Sequence, residues 1–185
     1  MLGTIVNAAA ILVGGSLGLL LKKGIPERVS SGIVQGLALI VLYIGISGML
    51  KGQNALIATI SIVVGGVIGI LLDLDGRFKR LVGKLETRFV KTETGGSTFG
   101  EGFMTATLLF CVGAMAVVGS LNSGLTGNHE VLYTKSLLDG VSAMIFASTL
   151  GAGVLLSAVA VFVYQGAITL AAQFLAPVLS DATVA

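Results

Sequence analysis

The chain has 185 residues, of which 55% are hydrophobic and 11% are charged, against about 25% charged in a typical soluble domain. Several apolar runs approach 20 residues, the length that crosses ~30 Å of hydrocarbon, which excludes an ordinary soluble core. The single cysteine and single histidine exclude an internal disulfide framework and argue against a zinc centre. Because the first charge comes at Lys22, we expect the first apolar run to be a retained helix rather than a cleaved signal peptide.

The apolar runs predict an all-α fold, a polytopic integral membrane helical bundle of five to six membrane segments in one domain, 1–185. Residues 1–72 hold three of them, and 101–185 hold the others. The runs are Leu2–Leu21, Ile33–Leu50, Ala55–Leu72, Gly102–Leu121 and Leu137–Ala176.

The last run is too long for one crossing. Leu137–Ala176 would extend ~60 Å as a single helix, twice the bilayer core. Glycine is the poorest helix former after proline, so we expect a break at Gly151-Ala152-Gly153. Two interpretations stay open: a discontinuous or re-entrant helix that lines a cavity, and an ordinary tilted hairpin.

The basic residues predict an orientation. Nine of the 11 Lys and Arg fall in the segments after the first and third runs. The positive-inside rule then places the N-terminus outside and the 73–100 loop in the cytoplasm of a bacterial inner membrane. Within that loop, apolar residues at helical spacing alternate with the cations of 77–91. This pattern predicts an amphipathic helix on the inner membrane face, bound to anionic lipid, and disfavours nucleic acid as a partner.

Two of the runs share a motif. The segments 13–21 and 64–72 match at a constant offset, and each carries a row of small residues four positions apart. Such rows allow close helix packing in lipid. We therefore expect Gly14, Gly18, Gly65 and Gly69 to pack helices within the chain or across a homo-oligomer.

A short ionic cluster interrupts the apolar second half. Lys135, Asp139 and Ser142 follow at i, i+4 and i+7, so they share one helix face. A charged residue inside a membrane segment is expensive and usually functional. In one interpretation Asp139 is an ion or proton site with Lys135 as its partner. In the other, the two form an interfacial salt bridge at the outer end of the helix.

Polar side chains elsewhere in the runs also need partners. Gln165 and Tyr164 lie near the middle of the last predicted helix, and Asn7 lies in the first. A bare amide in hydrocarbon is costly, so each should meet a partner across a helix interface or in a wet cavity. We treat Asn7, Tyr164, Gln165 and Ser142 as candidate lining groups of a site built on Asp139 and Lys135.

Several motifs together resemble a known family. They are Gly102-Phe103, 106–115, Gly119-Ser120, 124–127, 135–140, 151–153 and Tyr164-Gln165-Gly166. In this order they are similar to the YqgA-like family of uncharacterised bacterial inner-membrane proteins, a domain of unknown function. The resemblance implies a polytopic bacterial membrane protein. It also implies a further apolar hairpin past the point that matches Ala185, and it supplies no catalytic residues.

The residues favour a small secondary transporter or channel-like protein for an ion or small polar solute. The alternative is a non-transporting scaffold or sensor partner that assembles through its glycine-rich helix faces. No catalytic group, metal site or cofactor site can be assembled from these residues, so we expect no enzyme.

Overall fold

The structure is a computed structural model that describes residues 1–21, 25–51, 55–74, 76–77, 80, 84 and 97–176. Every regular element in this part of the chain is an α-helix, as predicted. The seven helices are α1 (Leu2–Leu20), α2 (Glu27–Lys51), α3 (Ala55–Leu71), α4 (Ser97–Val112), α5 (Ala114–Leu125), α6 (Glu130–Leu150) and α7 (Gly153–Leu175).

Several of these helices are long and apolar enough to cross a membrane. Within the described ranges three helices meet that condition, namely α1, α2 and α7, and a fourth span results if α4 and α5 count as one bent crossing. Their outward faces carry many exposed Leu, Ile, Val and Phe side chains. Large exposed apolar surfaces of this kind are typical of contact with lipid or another protein.

The chain divides into two compact units, 1–25 with 86–185 and 26–85. In the first unit α1 runs parallel to α6, because Gly3 lies against Leu132 and Gly18 lies against Met144. Helix α7 runs the opposite way, with Gly166 near Met1. The starts of α1 and α6 therefore lie at the same end of this unit as the end of α7, which we call the Met1 end.

The end of α1 and the start of α4 both lie at the other end of this unit, which we call the Leu20 end. Gly18 of α1 lies against Met144 of α6, Gly102 of α4 lies against Leu150 at the end of α6, and Gly153 of α7 lies against the backbone of Phe99. The predicted membrane sidedness of the segments after Leu20 and before Ser97 stays a prediction.

Helices α4 and α5 meet at a bend of 55°, an arrangement that fits a broken span or a re-entrant segment. Gly113 separates the two helices with an extended backbone (φ −67°, ψ 142°). The sequence predicted one unbroken span over Gly102–Leu121, and the structure differs. A bend of this size needs a local cause, and here the extended Gly113 leaves backbone groups of both half-helices outside the helical hydrogen-bond pattern.

A second break separates α6 from α7 at Gly151 and Ala152. Gly151 has φ +79°, a conformation that glycine adopts without the steric cost that other residues incur. The two helices form a hairpin inside the first unit. Helix α6 begins at Glu130, seven residues before the predicted Leu137, so Asp139 lies more than two turns inside it.

The second unit contains α2 and α3. None of the α2 residues from Glu27 to Leu50 is buried, and most side chains of α3 are exposed. Past α3, Arg80 and Asp73 form an exposed ion pair at 2.6 Å. The predicted amphipathic helix of 77–91 lies largely outside the described residues, as do Lys22 and Lys23.

Candidate functional site

Four polar side chains from three helices meet inside the first unit. Lys135 and Asp139 stand one turn apart on α6 and form an ion pair through Lys135 Nζ and Asp139 Oδ2. Asn7 of α1 donates from Nδ2 to Asp139 Oδ2 at 3.0 Å and to Gln165 Oε1 of α7 at 3.3 Å. We call these four residues the polar network.

The polar network is buried inside the first unit. Asn7 and Gln165 are 0% exposed, Lys135 is 4% exposed and Asp139 is 7% exposed. The ion pair is thus enclosed by protein, and both interpretations of its role stay predictions. Removing two charges from water costs several kcal/mol per ion, roughly offset only when partner and hydrogen bonds are well placed. Asp139 has both kinds of partner here.

A fourth helix, α4, completes the surroundings of the ammonium group. The Phe110 ring of α4 lies 5.8 Å from Lys135 Nζ, measured to the ring centroid. At this distance the negative face of an aromatic ring attracts a cation. Phe110 is buried three residues before the break at Gly113. Sequence reasoning missed this contact, because an apolar residue in an apolar run carries no signal of it.

The two other predicted site residues lie beside the polar network. Ser142 is half-buried, on the turn of α6 after Asp139, and Tyr164 is half-buried, directly before Gln165. All six predicted lining residues thus belong to one unit, with four of them in direct contact.

Buried hydroxyl groups continue from the polar network toward the Met1 end. Thr4 precedes Asn7 by one turn, Thr169 follows Gln165 by one turn, and Ser120 and Ser123 lie on α5 where Gly119 and Gly124 contact α6 and α7. Their hydroxyl oxygens are buried and have no hydrogen-bond partner among the described residues. We call these four residues the hydroxyl row. Buried polar atoms usually have a partner in protein or ordered water, so a set without one calls for an explanation.

Within the hydroxyl row only Thr169 carries a signal in the sequence, since it stands four residues after Gln165. Thr169 continues the i±4 pattern of Gln165, whereas a lone Thr or Ser in a Gly/Ala-rich segment looks the same whether it faces lipid or protein. Further orphan atoms are Asn7 Oδ1 and Gln165 Nε2 in the polar network itself, and Thr107 Oγ1 on α4.

The glycines of α1 bring the helices of the site together. A methyl group on Gly14 would overlap the carbonyl oxygen of Gly140, one residue after Asp139, and one on Gly18 would overlap that of Met144. The absence of side chains at these positions therefore sets how closely α1 approaches α6. A methyl group on Gly65 or Gly69 of α3 would meet no heavy atom within 4 Å.

The polar network contains carboxylate and amide oxygens, amide nitrogens and one ammonium group. Among the described residues no group of three or more His, Cys, Asp or Glu side chains could hold a metal ion. The polar network itself consists of one carboxylate, one ammonium group and two carboxamides.

A buried ion pair inside helices with apolar outer faces is the organisation of a multi-pass helical membrane protein. Comparison with known proteins agrees. The chain belongs to the family described as "Protein of unknown function (DUF554)", whose model matches residues 2–185. This family is the one that the sequence motifs indicated.

Two relatives are similar over most of their length. The uncharacterized membrane protein YdfK of Bacillus subtilis (strain 168) is 32% identical over 177 residues, which cover 94% of this chain and 73% of the relative. The uncharacterized protein YqgA of Escherichia coli (strain K12) is 29% identical over 187 aligned positions, covering 100% of this chain and 80% of the relative. No solved structure matches. The chain is thus a membrane protein of an uncharacterised bacterial family.

Proposed function

We propose that the chain is a small secondary transporter or channel-like protein for an ion or small polar solute, with the polar network as its site. One observation carries the proposal: an ion pair, Lys135–Asp139, is buried among membrane helices and linked through Asn7 to Gln165 on a third helix. Buried charges inside a membrane protein are costly, and they typically mark substrate or ion pathways.

The bent pair of helices α4–α5 supports the same function. It places Phe110 against Lys135 and bends within a few residues of that contact. Discontinuous helices next to a buried polar site are common in secondary transporters, where the half-helix ends face the bound species. A helix with an extended residue at its centre also has a natural point of movement between two states.

The proposed topology has six crossings. Helices α1, α2 and α7 each cross once, α4 and α5 together make one crossing, and α3 and α6 make the other two. The Leu20 end faces the cytoplasm, the Met1 end faces outward, and the 77–91 segment binds anionic lipid. Labelling with a membrane-impermeant maleimide in a Cys111→Ser background tests this orientation of the two ends. We expect a cysteine at Gly127 to label from outside and one at Gly95 only after lysis; the reverse pattern contradicts the topology.

Flux through proteoliposomes tests the function. Purified protein would be reconstituted and assayed with Na⁺, K⁺, Li⁺, protons and small organic anions, with Asp139→Asn beside wild type. The matched control is Glu130→Gln, which removes an exposed carboxylate from the first turn of the same helix. We expect one species to move through wild type and Glu130→Gln, and at least about tenfold more slowly through Asp139→Asn, equivalent to ~1.4 kcal/mol. Equal flux through all three proteins would contradict the proposal.

A second candidate function is supported by a different observation. The glycine row of α3 has no described neighbour within 4 Å of Gly65 or Gly69, although the matching row of α1 packs against α6. A scaffold or sensor partner that assembles as a homo-oligomer through α3 would use such a face. In that case Asp139→Asn leaves assembly unchanged, while Gly65→Leu lowers the molar mass measured in detergent. The expectation that the chain is not an enzyme stays a prediction.

A further inference from the structure

We infer that the polar network is a binding site for a small monovalent metal cation of the Na⁺ class, which binds Asp139 in exchange for the Lys135 ammonium group. The inference rests on the proposed function and names the class of species that the site takes. It starts from the occupant that the structure shows: the ammonium group of Lys135, a tethered cation, already pairs with Asp139.

The atoms around Asp139 are suited to a hard cation. Asn7 Oδ1 is buried without a partner, and so is Thr4 Oγ1 one turn away. Gln165 presents Oε1 toward Asn7 at 3.3 Å from its amide nitrogen. Carboxylate, amide and hydroxyl oxygens are the ligands that hard cations prefer. Helices α1, α6 and α7 thus each carry an oxygen ligand in or beside the polar network. Because Asn7 turns Nδ2 toward Asp139 in the ammonium-bound state, its amide group rotates to present Oδ1 when the metal cation replaces the ammonium group.

The charge of the site selects a monovalent ion. Asp139 contributes one negative charge, and the described residues contain no cluster of acidic, His or Cys side chains that could balance a divalent ion. In a low-dielectric interior an uncompensated charge is unfavourable. One carboxylate therefore matches one monovalent cation, whether that cation is the ammonium group or an ion from solution.

Exchange follows because two cations cannot share Asp139. Adjacent like charges repel strongly where water does not screen them, so an incoming ion requires the ammonium group to withdraw. Lys135 has a flexible four-carbon side chain and lies five residues after the start of α6, near the Met1 end. A lysine in that position can extend its ammonium group toward the membrane interface.

The hydroxyl row provides the route. Thr4, Ser120, Ser123 and Thr169 lie between the polar network and the Met1 end, each buried with an unpartnered oxygen. Hydroxyl oxygens can replace part of the hydration shell of a monovalent ion that moves inward. The row thus connects Asp139 to the side from which Lys135 also enters.

Charge rescue tests the inference in full-length, detergent-purified protein. Lys135→Met removes the tethered cation and leaves Asp139 unpaired. Its unfolding midpoint would be measured in NaCl, LiCl and KCl against choline chloride, at constant ionic strength and slightly alkaline pH. We expect a saturable rise with Na⁺ of ~5 °C or more at a hundredfold excess over the dissociation constant. The rise should vanish in Lys135→Met/Asp139→Asn, and in wild type it should require more Na⁺, because the ammonium group competes.

Protons compete for the same carboxylate, so the titratable neighbours matter. Lys135 lies on the same helix, Cys111 approaches from α4, Tyr164 from α7, and His129 precedes α6 at the Met1 end. A midpoint that is equal in all four salts overturns the inference. So does a midpoint that responds only to acidification, since the site would then take protons rather than metal cations.

A second measurement covers the case in which Lys135→Met does not purify as a folded protein. Radioactive Na⁺ would be bound to immobilised wild type, with Asp139→Asn and Glu130→Gln as controls. Binding to wild type and Glu130→Gln alone supports the inference, and no binding to any of them overturns it. Asp139-dependent flux of another species without any Na⁺ response would overturn the cation inference while leaving the proposed function standing. If neither a Na⁺ response nor Asp139-dependent flux is observed, both the cation inference and the proposed function are overturned.

Discussion

Asn7 connects the Lys135–Asp139 ion pair to Gln165 through hydrogen bonds. It donates to the carboxylate of Asp139 and to the amide of Gln165, and it is fully buried. Hydrogen bonds to charged groups contribute about 1.5–3 kcal/mol, and leaving a buried partner unsatisfied costs about 1–3 kcal/mol. The stability of the first unit should therefore depend on Asn7 more than on any lipid-facing residue of α1.

We expect Asn7→Leu to lower the free energy of unfolding by about 1–3 kcal/mol. The substitution keeps the size of the side chain but leaves the Gln165 amide and one side of Asp139 without a partner. Unfolding in detergent, followed by helical circular dichroism, measures the change. Ser16→Leu on the exposed face of the same helix is the control, and equal stability of the two variants would contradict the assigned role of Asn7.

The residue types of the polar network could be predicted from the sequence, but its contacts could not. Lys135 and Asp139 share a face by spacing alone. Asn7 meets Asp139 only because α1 and α6 run parallel in one particular register, and no periodicity within either helix defines that register. The distance of Asp139 from the helix start was also underestimated, because Glu130, Thr134, Lys135 and Ser136 kept the first turns of α6 out of the apolar run.

At the scale of helices, close packing of α1 on α6 positions the site. Gly14 and Gly18 face the carbonyl groups of Gly140 and Met144 so closely that a methyl group would overlap them. Added volume at a tight contact forces the backbones apart, at a typical cost of about 1–3 kcal/mol. Separation of these helices would also weaken the Asn7–Asp139 hydrogen bond, because the two residues stand on the same pair of helices.

The internal repeat supplies a matched pair of variants for this packing. We expect Gly14→Leu to destabilise the protein by about 2 kcal/mol or more, whereas Gly65→Leu, its counterpart in the repeat, should change stability by less than ~0.5 kcal/mol. Thermal unfolding of both variants in the same detergent measures the difference. Equal destabilisation would show that the α3 row is packed as tightly as the α1 row and would favour assembly through α3.

Sequence patterns predict one of the two helix breaks of the first unit and miss the other. The break at Gly151 could be predicted, because a run twice the bilayer thickness has to end somewhere and its glycines are the weakest point. The break at Gly113 could not, since Gly102–Leu121 has the right length for one unbroken crossing. The extended backbone of Gly113 occurs where Phe110 lies near Lys135 and α5 packs on α6 and α7, and these contacts between helices are not encoded in the hydropathy of the run.

At the scale of the whole molecule, the chain combines a buried polar interior with apolar helix faces directed outward. The first unit holds every member of the polar network and the hydroxyl row. The second unit presents two helices whose side chains are almost entirely exposed. Such a division is expected if one part of the protein carries the site and the other contacts lipid or another copy.

We propose that the Lys135–Asp139 pair serves the function of the protein and not its stability. A variant that lacks only one of the two charges leaves the other buried without a partner, so a loss of function cannot be separated from a loss of stability. A variant that lacks both charges avoids this problem. The neutral variant Lys135→Met/Asp139→Asn separates the two roles. Asn7 can still donate to the amide oxygen of an asparagine at position 139, so the helices keep their main contact.

The most direct measurement is therefore flux through this double variant in proteoliposomes, beside wild type and Glu130→Gln, after its unfolding midpoint has been compared with that of wild type. We predict an unfolding midpoint close to that of wild type and flux reduced at least about tenfold. A stable double variant that transports at the wild-type rate would contradict the account and make the pair a structural feature of the bundle.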